Sequence, residues 1–276
     1  MTPIDYLAVG HVCRDVTPDG FKLGGSVSFS SLTALAFGIN VAILTSAPVQ
    51  EAADLLAPLH DVSIEIVDSP EFTTFQNIYT ESGRSQTLLG HAQRIIPAHI
   101  PSAWRSASIA HLGPVADEVD PTLADAFPNA LIGLTPQGWM RQWDAGGHVS
   151  FQPWPDAPRL LERADATVMS IEDVRGDEAL ANEYTHLGRT FVLTRGEQGC
   201  TLFAEGNRWD VPAPRVEVAD PTGAGDIFAA SFFICLKIRG DPLWAAQTAT
   251  QLASASVARV GLNKIPSVEE VRKALS

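Results

Sequence analysis

Short apolar strands alternate with helices along most of this 276-residue chain, and few folds accept that rhythm. Strands are expected at 4–10, 41–45 and 62–67, with helices at 28–37 and 51–59 between them. The pattern resumes with strands at 108–112, 130–135, 166–170 and 190–194, and the last has a hairpin partner at 200–204. Helices are expected at 177–185 and, as the last two, at 224–238 and 243–260. Strands interleaved with helices pair in parallel through right-handed crossovers, so the fold class is α/β. Two stretches break the rhythm. Residues 72–89 are rich in β-branched and aromatic side chains around a turn at Glu81-Ser82-Gly83-Arg84, and 12–23 carry the turn signal Asp19-Gly20. They read either as a small sheet over one edge, spanning about 11–25 and 72–90, or as ordinary surface hairpins. The turn-rich stretch 143–158 is too short for a domain linker, so one domain over 1–276 is expected.

The most specific string is Asp220-Pro221-Thr222-Gly223-Ala224-Gly225-Asp226, followed at once by apolar Ile227-Phe228-Ala229-Ala230. A glycine-rich turn entering a helix aims backbone N–H groups and the positive end of the helix dipole at one spot, which is an anion site. Glycine lets the backbone approach an anion closely. A carboxylate in the first turn of such a helix either complements the dipole or takes a proton from a hydroxyl that attacks the anion. The second role would need fixed dipoles for the charge on a transferred phosphoryl group. The dipole itself is expected to depress the pKa of Asp226.

Composition removes several classes. The net charge of −13 argues against nucleic-acid or anionic-membrane partners. With 45% hydrophobic and 18% charged residues the chain is not a disordered one. No run reaches the ~20 apolar residues of a membrane span, and no signal peptide is apparent. Cys13, Cys200 and Cys235 have no metal or disulfide spacing, which suits a reducing cytoplasm. The first strand lacks Gly-x-Gly-x-x-Gly, which disfavours a nicotinamide oxidoreductase, and no Walker-type Gly-x4-Gly-Lys occurs.

Other clusters fall at strand ends, where ligands bind in open parallel sheets. Thr194-Arg195-Gly196 and Gly199 close one strand, and Arg195 either reaches a phosphate or is solvated. Gly10, Asp15, Gly24 and Gly25 follow the first strand, with His11 and Lys22 read as surface residues. Gln137 and Arg141 follow another. The Ser170-Ile171-Glu172-Asp173 segment reads on its own as an exposed acidic helix start.

The Asp220–Asp226 string, preceded by the Thr194–Gly199 turn, resembles the C-terminal signature of the ribokinase-like (PfkB) carbohydrate kinases. The resemblance implies a three-layer sandwich with a mostly parallel central sheet and a small β-sheet lid. It implies Asp226 as catalytic base and Gly223, Ala224 and Gly225 as the anion hole. Asp220, Thr222, Thr194 and Gly196 would lie near the phosphates, and Gly261 and Asn263 would wall the adenine of ATP. Asp15, Gly24 and Gly25, with Gln137 and Arg141, would hold the acceptor. Many members carry Asn-x-x-Glu where this chain has Ser170 and Asp173, so Glu172 and Asp173 become the candidates for Mg2+. The stretch 10–29 and the Gln137–Arg141 string look most like the short myo-inositol kinase branch, and Phe29 replaces an asparagine common in ribokinase proper. The implied activity is ATP- and Mg2+-dependent phosphorylation of a polyol or sugar hydroxyl in the cytoplasm, with a homodimer through the lid as a possible partner state. Open alternatives are a nucleoside or sugar-phosphate kinase of this fold and a non-catalytic sugar or nucleotide sensor.

Overall fold

A computed structural model describes residues 3–80 and 83–276. The Glu81 and Ser82 part of the expected turn lies outside the described residues. The strands are β1 (Tyr6–Val9), β2 (Cys13–Thr17), β3 (Gly20–Gly24), β4 (Val41–Ala47), β5 (Ser63–Asp68), β6 (Thr73–Thr80), β7 (Gly83–Gly90), β8 (Ile109–Leu112), β9 (Leu131–Leu134), β10 (Arg141–Trp143), β11 (Val149–Phe151), β12 (Ala166–Ser170), β13 (Thr190–Thr194), β14 (Cys200–Ala204) and β15 (Asn207–Val211). The helices are α1 (Ser26–Ala36), α2 (Ala52–Leu56), α3 (Ala157–Arg163), α4 (Glu178–Thr185), α5 (Ala224–Arg239), α6 (Pro242–Ser256) and α7 (Val268–Leu275).

A nine-stranded sheet runs in the order β15-β14-β13-β12-β9-β8-β1-β4-β5. From β13 to β5 every pairing is parallel, and β14 and β15 close one edge as an antiparallel hairpin. Alternation along β1 explains the layers. Tyr6 and Ala8 face the core packed by α1, α5 and α6, whereas Leu7 and Val9 face the core packed by α3 and α4. This is the α/β sandwich that the rhythm of the sequence predicts.

The two stretches that break the rhythm join. They form a separate four-stranded sheet in the order β3-β2-β6-β7, with β2 parallel to β6 and the other pairs antiparallel. His11, expected at the surface, is instead fully buried at the root of this sheet. Its Nε2–H donates to Gln93 O at 2.9 Å, and its Nδ1 lies 2.6 Å from Thr73 Oγ1. Burial holds its pKa below the ordinary histidine value. The segment leaving β1 passes under the small sheet, which is why a polar residue there needs partners rather than water. Lys22 is exposed, as expected.

Five elements are additions to the sequence reading. β10 and β11 make a small hairpin within the turn-rich stretch, α3 leads out of it, β15 extends the sheet edge, and α7 follows the two helices expected to be last. All three cysteines are buried and free, and no helix among the described residues is long and apolar enough to cross a membrane.

Candidate active site

Two helix N-termini converge. Gly223 takes a left-handed conformation (φ 78°) as the N-cap of α5, and Gly25 (φ 91°) precedes α1. Both positions need glycine. A Cβ on Gly223 would stand 2.8 Å from the Phe29 ring of α1, and one on Gly25 would stand 2.3 Å from His11 O. The packing of α1 on α5 thus rests on a missing side chain, and it brings the Ser26 hydroxyl to donate to Asp226. Gly225 differs, because a Cβ there would meet nothing within 4 Å. Its backbone borders open space, while the Ala224 N–H turns back to Pro221 O at 3.2 Å. The helix-start amides left for an anion are therefore those of Gly223, Gly225 and Asp226.

Asp226 does not have the depressed pKa expected from the dipole alone. Desolvation by burial raises it to about 6, aided by the negative charge of Asp173 and opposed by the Ser26 hydrogen bond and by Arg141. Desolvation wins although Asp226 is only half-buried, because α1 packs against the start of α5. The result is a carboxylate poised near the pH at which a general base is most effective.

The acidic side chains around it are organised from strand ends. Asp173 accepts from Ser170 N at 2.9 Å and from Gln137 Nε2 at 3.0 Å, which ties the turns after β12 and β9 together. Desolvation raises the Asp173 pKa against those hydrogen bonds. Arg141 Nη1 donates to Val115 O at 2.9 Å and exerts its charge on both Asp173 and Asp226. On the small-sheet side, Asp15 lies against Gly24 so closely that a Cβ there would be 2.3 Å from Oδ2. Asn77 Nδ2 donates to Asp15 Oδ1 at 3.3 Å, and Gln86 Nε2 donates to Asn77 Oδ1 at 2.9 Å. A carboxylate and two amides in a chain form a set suited to hydroxyl groups, because the carboxylate accepts hydrogen bonds and the amides both donate and accept them.

Residues 159–269 match the model of the pfkB family of carbohydrate kinases, and that span holds the whole α5 turn. That segment is a pfkB-family carbohydrate kinase segment, and the relatives that align along most of the chain are kinases. The kinase is 25% identical over 258 residues to a cytidine kinase of Thermococcus kodakarensis, covering 87% of this chain and 91% of the relative. It is 28% identical over 284 residues to an inositol 3-kinase of Zea mays, covering 94% and 73%. Among solved structures, a pyrophosphate-dependent kinase of the ribokinase family complexed with a pyrophosphate analog and myo-inositol superposes with a TM-score of 0.82 at 17% identity, covering 97% and 99%. Arabidopsis thaliana ribokinase complexed with ribose and ATP gives 0.75 at 17%, covering 100% and 99%. At these identities the structural likeness shows the ribokinase-like fold.

The remaining sequence candidates of the kinase lie at strand ends and turns. Thr194 ends β13 and its hydroxyl lies 3.5 Å from Met169 O, and Gly196 (φ 56°) starts the following turn. Arg195, left open between phosphate and solvent, instead grips Glu178 with both guanidinium nitrogens, one pair at 2.9 Å. The two clefts along Arg195, Glu178 and Arg208 include none of Asp15, Arg141 and Asp226. Asp220 Oδ1 accepts from Thr222 N at 2.9 Å. Gly261 and Asn263 lie in a 3-10 turn (Gly261–Lys264) after α6, and Glu172 is exposed beside Asp173. Ser26, Asn77, Gln86 and Lys264 were missed from sequence. Ser26 was findable, since it directly follows the Gly24-Gly25 pair at a helix start.

Proposed function

We propose that the kinase transfers a phosphoryl group from ATP to a hydroxyl of a small polyol or sugar, with a myo-inositol-like ring as the favoured acceptor. The observation that carries the reading is Asp226 beside the open space at Gly225, at the start of a helix whose dipole and amides face an anion. A base next to a site for a negatively charged group is unfavourable unless the base serves a nucleophile bound between them. Asp226 accepts the acceptor's proton, and the amides of Gly223 and Gly225 stabilise charge on the transferred group. Asp15, Asn77 and Arg141, with the backbone at Gly24 and Gly25, position the acceptor. Thr194, Gly196, Thr222, Gly261 and Asn263 border the nucleotide. The inositol 3-kinase relative supports a cyclic polyol.

Mg2+ brought with ATP keeps phosphate oxygens and waters as ligands, so it needs few protein carboxylates. Asp173 fits this use, because its two hydrogen bonds leave lone pairs for metal-bound water, and exposed Glu172 is adjacent. The ion would neutralise phosphate charge.

The cytidine kinase relative, which this chain matches over most of both lengths, favours a nucleoside acceptor as a second reading. The test is ADP release from Mg-ATP across polyols, sugars, sugar phosphates and nucleosides, with pyrophosphate as a rival donor and Asp226→Asn as control. Turnover on a polyol or sugar that falls by about 10²–10⁴ in the variant supports the proposal. Turnover only on nucleosides selects the second reading. Binding of ATP with no acceptor-dependent turnover overturns both in favour of a sensor.

A further inference from the structure

Lys264 is the most deeply buried cation among the described residues, with 1% of its surface exposed. A buried ammonium is costly unless every proton finds an acceptor. Here its Nζ donates to Thr222 O at 2.5 Å and to Asp220 O at 3.2 Å, and lies 2.7 Å from Asp220 Oδ2. Three protons thus meet three oxygens, all from the turn that enters α5.

Both sides of this contact are anchored. Arg259 Nη2 donates to Lys264 O at 3.3 Å, and Arg259 pairs with Glu270 at 3.2 Å, the residue that closes the N-terminal cap of α7 with Ser267. The N–H groups of Ala219 and Asp220 both donate to Val257 O, at 2.8 and 3.1 Å. The lysine is therefore delivered from a fixed scaffold onto a fixed turn.

Thr222 immediately precedes Gly223. In a planar trans peptide the C=O and the following N–H point in opposite directions. Fixing Thr222 O on the ammonium therefore fixes the Gly223 N–H to point away from it. We propose that Lys264 is a positioning residue, a built-in monovalent cation that holds the 220–222 turn so that the Gly223 amide is presented to the transferred phosphoryl group. The proposal rests on the reading of this turn as a phosphoryl-transfer site. Because the positive charge is covalently supplied, the wild-type kinase needs no small monovalent cation for activity.

Removing the side chain leaves a cage of two carbonyl oxygens and one carboxylate, which suits a desolvated potassium or ammonium ion. Lys264→Ala is expected to lower kcat by about 100-fold, the cost of a misplacement of about 1 Å, with the acceptor KM little changed. Ammonium or potassium chloride should restore most of the rate, and choline chloride at equal ionic strength should not. Lys264→Met, whose uncharged stem fills the cage, should lose rate without rescue. Thermal melting gives a readout without chemistry: the two small cations should raise the melting temperature of Lys264→Ala and leave the wild type unchanged. A Lys264→Ala enzyme with wild-type kcat overturns the proposal, as does a loss of rate and stability that no small cation relieves. If the alanine variant does not fold in any salt, the wild type decides: equal rates in sodium, potassium and choline support the proposal, and a need for potassium or ammonium overturns it. Absence of wild-type turnover on every acceptor would sink the phosphoryl-transfer reading alone, since melting still reports whether the cage takes a cation.

Discussion

Asp226 carries a pKa raised to about 6 because burial penalises its charged form. Two consequences follow, and they separate catalysis from stability. A base works deprotonated, so kcat/KM is expected to fall as pH drops through about 6, while a Ser26→Ala variant, losing the hydrogen bond that favours the charged form, should move that limb upward. The pH–rate profiles of the two enzymes check this. For stability, the folded value lies above the ordinary 3.8, so the fold holds this proton more tightly than the unfolded chain does. The associated stabilisation is complete below about 3.8 and is lost as pH rises through about 6. Asp226→Asn, which keeps the neutral shape, should melt higher than wild type at pH 8, and the gain should vanish by about pH 4. A variant that is inactive yet more stable at pH 8 is the signature of a functional group held at a cost in stability. One that is less stable throughout would place Asp226 among structural caps instead.

At the level of elements, the start of α5 holds two glycines with opposite demands. Gly223 needs its left-handed backbone and has the Phe29 ring where a Cβ would stand. Gly223→Ala should cost about 1–2 kcal/mol from backbone handedness alone, with further loss as α1 is pushed from α5. Gly225 lies in the helix with open space around its missing Cβ. Gly225→Ala should leave the fold intact or stabilise it by up to about 1 kcal/mol, yet lower kcat/KM for the phosphoryl donor by filling the space meant for its anion. Denaturant melts with donor kinetics on both variants check the pair, and a Gly225→Ala enzyme with unchanged donor kinetics would move the anion elsewhere. These elements also show what the sequence could tell. The α5 turn was legible because its chemistry is local, seven adjacent residues that form one turn and one helix start. The Lys264 contact spans 42 and 44 residues to its partners, and the His11–Thr73 contact spans 62, so no local pattern announces either. Helix α7 was legible in principle, since Ser267 and Glu270 spell a capping box. The strand β15 follows a turn at Glu205-Gly206 and could have been read as the second half of a hairpin.

Across the whole molecule, long-range and local electrostatics oppose each other. The chain carries a net charge of −13, so an anionic donor approaches against the overall field. Near the site the convergent starts of α1 and α5, Arg141 and the buried ammonium of Lys264 supply positive charge and dipoles at short range. The two contributions differ in range. Screening length falls from about 30 Å at 0.01 M salt to about 10 Å at 0.1 M, which removes the repulsion of the distant surface charge before it weakens contacts at bonding distance. The affinity for ATP is therefore expected to rise several-fold as ionic strength increases over that range, whereas the affinity for an uncharged polyol should stay flat. Choline chloride as the added salt keeps the measurement clear of any specific small-cation effect, and titration calorimetry with each ligand alone reads the two slopes. A falling ATP affinity would mean that attraction from exposed cations dominates the approach. In that case binding would rest on solvated groups, and the buried dipoles and ammonium would have a smaller share than their geometry indicates.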